Sequence, residues 1–154
     1  VMFYKYLLPL ALPLTFVLPA QAETFNKRME RIRQENALAK TMTDTQVKLI
    51  QKVVQTNHCA KVALTHHQRI LGQYQVETSS SELFVKWRKL GKQLDKKYET
   101  DYPGYPKHVF QEYPAASSKV DGYLFALIDN GLNEQSWIAK EFKQCKSNKL
   151  ISRT

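Results

Sequence analysis

Apolar residues recur every three or four positions along most of the chain, which is the spacing of amphipathic helices. The first such segment covers residues 23–38. A longer one begins at Thr43 and Gln46, which have the form of a capping box, and continues to Leu71. Polar residues interrupt its apolar stripe, so we expect a break or kink within residues 55–66.

A third helix is predicted after Ser79 and Glu82, which have the form of a second capping box, and its apolar positions extend to Tyr98. Gly91 weakens this helix, and close packing against a neighbour would explain its presence. Residues 101–116 hold three prolines and several tyrosines. Because proline interrupts helices, we expect this whole segment to be an irregular loop.

Two more helices follow the loop. We expect Ser117 or Ser118 to cap the first, Asn130 and Gly131 to end it, and Asn133 to cap the second. No segment shows the alternation of a strand. The sequence therefore predicts an all-α fold of five or six short-to-medium helices in one compact bundle.

The first 22 residues have a different character. Lys5 is the only charged residue before Glu23, an apolar stretch follows it, and Ala20 and Ala22 precede a cut before Glu23. The apolar stretch is shorter than the roughly 20 residues that span a bilayer. A buried N-terminal helix is the alternative. We expect a cleavable signal peptide over residues 1–22, a helical domain over 23–145 and a basic flexible tail over 146–154.

Export changes which partners the net positive charge of the chain suggests. The chain carries a net charge of +9, and removing residues 1–22 with their one lysine leaves +8. In a cytosolic protein this excess would suggest nucleic acid, which we do not expect for a periplasmic or, alternatively, secreted protein. The remaining anionic partners are lipid, cell-wall polymer and acidic protein surfaces, so peripheral contact with the membrane or cell wall is one interpretation. Colloidal solubility alone is the other.

The chain has two cysteines, Cys59 and Cys145. In an oxidising compartment such an isolated pair usually forms a disulfide, which we predict here. Closing a loop of this length stabilises a fold by roughly 4–5 kcal/mol in chain-entropy estimates. A catalytic thiol is the alternative, although His58 and Cys59 are adjacent and so do not face each other on a helix.

No motif for catalysis, cofactor binding or metal binding is present. His66 and His67 point apart on one helix, and no carboxylate stands at the spacing of a zinc motif. The chain has no glycine-rich phosphate loop, nucleophile elbow or haem-attachment motif. Its carboxylates are scattered among basic residues. We therefore expect no enzymatic activity, no cofactor and no metal.

The proline-rich loop is one candidate for contact with a partner protein. Tyrosine gives a large amphipathic contact with few rotamers to freeze, and prolines order the segment before binding. The alternative is that the rings fold back over the core. The candidate residues are Tyr102, Tyr105, His108, Phe110 and Tyr113.

The third helix carries a cationic face, which is a candidate for docking on an anionic surface. A solvated exterior with weak ion pairs four residues apart is the alternative. The residues of this face are Lys86, Arg88, Lys89, Lys92, Lys96 and Lys97.

The mature region resembles the periplasmic immunity proteins that protect Gram-negative bacteria from type VI secretion amidase effectors. The likeness is carried by NHCAK at residues 57–61, KKY at 96–98 before a tyrosine-rich break, LFALID at 124–129 and IAKEF at 138–142. The family pattern places a second cysteine near Ala126, whereas this chain has Cys145. The resemblance implies an all-helical, often dimeric protein that blocks an amidase active site with an inserted loop.

The expected function is therefore that of an exported helical protein that binds and inhibits a partner protein, of the immunity type that acts against a cell-wall amidase. The alternatives are a basic envelope-surface protein that binds anionic lipid or cell-wall polymer, and a periplasmic helical protein without catalytic activity.

Overall fold

A computed structural model describes residues 24–69, 78–105, 107 and 111–152, and of residues 78, 79 and 152 the backbone alone. The described part contains six helices and no strand, so the prediction of an all-α fold is confirmed. The predicted signal peptide lies outside the described residues. The helices are α1 (Phe25–Ala39), α2 (Asp44–Arg69), α3 (Thr78–Asp101), α4 (Tyr113–Asp129), α5 (Glu134–Ser147) and α6 (Lys149–Ser152).

The chain divides into two units, and the boundary at Asn36 falls within α1. In the first unit, the described residues belong mostly to α1, none of whose side chains is buried. The second unit holds the bundle of α2 to α6. Its central element is α2, which packs against α3, α4, α5 and α6.

The core of the bundle lies along α2. Each fully buried large apolar side chain contributes about 1.5–3 kcal/mol to folding, relative to leaving it in water. From the surrounding helices, the buried apolar cluster includes Trp87 on α3, Val120 and Leu124 on α4, Ile138 and Phe142 on α5, and Ile151 on α6.

The expected break within residues 55–66 is absent, because α2 runs as one helix through this stretch. Three polar residues of this stretch form side-chain hydrogen bonds without interrupting the helix. Thr56 and Thr65 donate their hydroxyls to carbonyl oxygens one turn earlier, at 2.7 and 2.9 Å. Asn57 donates its side-chain Nδ2 to the carbonyl oxygen of Gln111, at 2.7 Å.

The start of α2 is as predicted, whereas two other helices begin earlier than expected. The hydroxyl of Thr43 accepts from the backbone N–H of Gln46 at 3.2 Å, which caps α2. Helix α3 begins at Thr78, so Ser79 is not its cap.

Helix α4 begins at Tyr113, so the expected cap at Ser117 or Ser118 and the loop over 101–116 are both wrong at this end. Proline is excluded from a helix interior but tolerated in the first turn, where its missing N–H has no partner to lose. Pro114 occupies that turn.

The end of α4 follows the predicted signal. Asn130 is the C-cap, and Gly131 has a φ of 66°, which other residues rarely adopt. The N–H groups of Gly131 and Leu132 donate to the carbonyls of Ile128 and Leu127, both at 2.9 Å. This pair of bonds is a Schellman motif.

The C-terminal part of the chain is more ordered than expected. Asn133 caps α5 as predicted, because its Oδ1 accepts from the backbone N–H of Ser136 at 3.1 Å. The first residues of the predicted tail over 146–154 are helical, since α5 ends at Ser147 and α6 begins after Asn148. Ile151 on α6 is buried in the core, which accounts for the extra turn of helix.

Candidate functional site

The predicted disulfide is confirmed: Cys59 on α2 and Cys145 on α5 are bonded, with Cα atoms 5.5 Å apart. Both residues are buried. The chain has no other cysteine, so no free thiol is present in this structure.

The described tyrosines of the predicted contact loop pack within the bundle and are half-buried. The ring of Tyr102 lies between those of Tyr98 and Tyr105, with centroids 5.5 and 6.4 Å away. The hydroxyl of Tyr105 is 2.9 Å from the Oγ1 of Thr41. These contacts fix the two rings, while part of each surface stays accessible to a partner.

Tyr113 lies at the start of α4 and packs against α3. Its ring centroid is 6.4 Å from that of Phe84, and the guanidinium of Arg88 lies 3.8 Å from the ring centroid. Burial raises the pKa of the Tyr113 hydroxyl, although Arg88 acts in the opposite direction. His108 and Phe110, the other two loop candidates, lie outside the described residues. A role of the loop in partner binding stays a prediction.

The cationic face of α3 is partly engaged and partly free. Arg88 covers Tyr113, and the Nζ of Lys97 is 2.5 Å from the Oδ2 of Asp101. That hydrogen bond raises the pKa of the fully exposed Lys97. The other four lysines are exposed and form no ion pair with the carboxylates of the described residues: Lys86, Lys89, Lys92 and Lys96.

A polar cleft of about 180 Å³ lies where α3 meets α2 and the start of α4. Lys107 pairs there with Asp95 and lies 3.5 Å from Glu99 and 3.9 Å from Glu112. The hydrogen bond to Asp95 raises the pKa of Lys107. This ion-pair cluster holds Lys107 against α3. Sequence reasoning missed it, since the four charges are spread over 18 positions.

A groove of about 450 Å³ lies between α2, α4 and α5. Its apolar wall includes Tyr123 and Trp137, whose ring centroids are 4.7 Å apart. At its other side the Nε2 of His58 is 3.2 Å from the Oε2 of Glu141, and both side chains are about one-fifth exposed. The groove is lined by His58, Lys119, Val120, Gly122, Tyr123, Ala126, Trp137 and Glu141.

The outer side of α4 exposes large apolar side chains. Phe125 is 72% exposed, and Ile128, one turn later, has about half of its surface in water. Leu132, just beyond the end of α4, is also about half exposed. We call these three residues the α4 apolar surface. Only Ala116, Val120 and Leu124 of this apolar helix are buried, so α4 presents more apolar surface than the bundle covers.

The histidines and acids of the described residues form no group of three or more that could hold a metal ion. His66 instead packs into the core, with its ring stacked on Phe142 at a centroid distance of 4.1 Å. Over the described ranges, no helix is both long and apolar enough to cross a membrane. No protein-family model, curated protein or solved structure matches the chain.

Proposed function

We propose that this chain is an exported helical protein that binds and inhibits a partner protein in the cell envelope, of the immunity type that acts against a cell-wall amidase. The observation that supports docking on a protein is the α4 apolar surface. Single exposed apolar residues are ordinary, whereas a group of large ones in the last turns of a helix and just beyond its end is typical of an interaction surface.

The charge of the domain favours an acidic partner. The region after residue 22 carries a net charge of +8, and four lysines of α3 have no described carboxylate partner. A positive surface accelerates association with an acidic protein and disfavours close approach of a second, equally basic copy. We therefore propose a different protein, rather than a second copy of this chain, as the occupant of the α4 apolar surface.

An immunity-type function requires a cell-wall amidase encoded beside the gene of this chain, and the first test uses that enzyme. The oxidised protein without residues 1–22 should form a complex with that enzyme and stop its hydrolysis of peptidoglycan at equimolar concentration. Replacing Phe125 and Ile128 together by alanine should weaken the complex by about one hundredfold, since each removes about 1–2 kcal/mol of buried apolar contact. Calorimetry and the hydrolysis assay measure the two effects.

The matched control is Val85→Ala, which shortens an equally exposed apolar side chain on α3 and should leave binding unchanged. Unimpaired hydrolysis in the presence of excess protein would overturn the immunity-type function. Unchanged tight binding by the variant with alanine at Phe125 and Ile128 would show that the amidase contacts another surface of the protein. Tyr102→Ala with Tyr105→Ala then decides whether the loop is the contact.

A second candidate function, binding to an anionic envelope surface, is favoured by the unpaired lysines of α3. Vesicles of phosphatidylglycerol should then bind the protein more strongly than vesicles of phosphatidylcholine. Binding should fall steeply from about 0.1 M to about 1 M salt, because the Debye length shortens from about 10 Å to about 3 Å. Cosedimentation measures both comparisons.

The variant for this test replaces the four unpaired lysines of α3 by glutamine. A matched variant, with the same loss of charge, changes four exposed lysines outside α3: Lys27, Lys40, Lys140 and Lys143. Equal loss of vesicle binding in both variants would show that net charge, rather than the face of α3, attracts the lipid.

A further inference from the structure

The groove between α2, α4 and α5 has the size and lining of a small-molecule site. Such sites are clefts of about 300–1,000 Å³ with mostly apolar walls and a few polar groups that fix orientation. Here the volume is about 450 Å³, and Val120, Tyr123, Ala126 and Trp137 supply the apolar wall. Gly122, Tyr123 and Ala126 of its lining are exposed, so the groove is open to solvent. The rings of Tyr123 and Trp137 contact each other at an interplanar angle of 42°.

The groove stays open because of the residues that α4 places along it. Gly122 and Ala126, four positions apart, lie on one face of the helix, so two adjacent turns present almost no side chain there. A Cβ added at Gly122 would meet no atom within 4 Å. A larger side chain at this position would therefore project into space that the bundle leaves empty.

The lining of this apolar space includes one lysine. Lys119 lines the groove, and it also lines a neighbouring hollow of about 210 Å³ formed with Val54, Gln55 and Ala115. Its amino group forms no ion pair with the described carboxylates, whereas Lys61 on α2 is 2.9 Å from Asp121. Glu141 is held by His58. The groove thus combines an apolar wall with one lysine, Lys119 on α4, and one carboxylate, Glu141 on α5, whose Oε2 is in contact with His58.

We propose that this groove binds an amphipathic monoanion, a molecule with one apolar chain or ring and one carboxylate. The apolar part lies along Val120, Ala126 and Trp137, and the carboxylate lies at Lys119. The apolar wall supplies the driving force by burial, and the ammonium–carboxylate contact fixes the orientation. The site is separate from the α4 apolar surface, which lies on another side of α4, so this inference does not depend on the proposed function.

Trp137 provides the readout for the test. It lines the groove, whereas the chain's other tryptophan, Trp87, is buried in the core. The probe is dodecanoate below its micelle concentration. It should change the tryptophan fluorescence saturably, and Trp137→Phe should remove that change. Acetate has the charge without the chain and dodecyltrimethylammonium has the chain with the opposite charge, and neither should compete with dodecanoate.

Two variants test the two halves of the site. Lys119→Met keeps the apolar stem and should weaken dodecanoate binding about tenfold, as expected for the loss of one charge-assisted hydrogen bond. Gly122→Leu should abolish binding, because leucine fills the groove. Their controls are Lys140→Met and Ser118→Leu, at exposed positions that do not line the groove, and both should bind normally.

Three results would overturn the inference. Equal binding of the cationic detergent would mean unselective adsorption to apolar surface. Normal binding by folded Gly122→Leu would place the ligand elsewhere. Absence of any saturable fluorescence change with dodecanoate would show that the groove does not bind this class of ligand. Loss of the amidase complex in Gly122→Leu would then indicate that the groove is a protein-docking site.

Discussion

Replacing Cys59 and Cys145 together by alanine should lower the free energy of unfolding by about 4–5 kcal/mol. The disulfide joins residues 86 positions apart, so in the unfolded chain it closes a long loop and removes many of its conformations. It also ties α5 to α2, the helix against which the rest of the bundle packs. Both sulfurs lie in the core, so alanine additionally leaves a small cavity.

Urea unfolding followed by circular dichroism measures this loss. Reduction of the wild-type protein is the matched comparison, because it breaks the bond without changing the sequence. The reductant should destabilise the wild type strongly and leave the double-alanine variant unaffected. A wild type that unfolds at the same urea concentration with and without reductant would contradict a stabilising role for the bond.

Gly91→Ala should lower the free energy of unfolding by about 2 kcal/mol, although alanine is the better helix former by about 1 kcal/mol. A Cβ at this position would lie 2.4 Å from the Oδ1 of Asn57 and 3.3 Å from its Cγ. Asn57 is 3% exposed and donates to the carbonyl of Gln111, so it has little room to turn away. Either α2 and α3 separate or this buried hydrogen bond is lost, and both are destabilising.

Gly122→Ala is the matched control, since it makes the same change inside α4, where nothing lies within 4 Å of the new Cβ. It should stabilise the protein by about 0.5–1 kcal/mol through helix propensity. The two variants should therefore shift the urea midpoint in opposite directions. Equal stabilisation in both would show that α3 does not approach Asn57 as closely as the structure places it. Adding Asn57→Ala to Gly91→Ala should restore part of the loss.

Local signals in the sequence predict most of the helices. The three-to-four spacing of apolar residues gives the helical segments, and short polar motifs give several of their ends, as at Thr43, Gly131 and Asn133. The errors in predicted helix ends occur where one residue type is compatible with two local structures. Proline breaks a helix when it lies in the interior but is tolerated in the first turn. Pro114 lies in the first turn of α4, and which case applies depends on whether the residues before it are already helical.

The candidate sites depend on contacts that no single segment contains. The groove takes His58 from α2, Tyr123 from α4 and Trp137 from α5, and their meeting is set by how the helices cross. Gly91 is an intermediate case. The sequence indicates close packing there, but the identity of Asn57 as the neighbour follows only from the pairing of α2 with α3.

The central position of α2 has a consequence for the order of folding. Contacts between neighbouring segments form early, whereas those between distant ones wait for slow closure of long loops. α2 can pair with α3 as soon as both exist, but its contacts with α5 and α6 span more than 60 intervening residues. The side of α2 that contacts Cys145 and Ile151 therefore stays exposed until α5 and α6 pack against it. In a chain that folds in this order, part of the core stays exposed to solvent and the cysteines stay reactive towards oxidants. Both conditions last longer than in a fold whose core contacts join neighbouring segments.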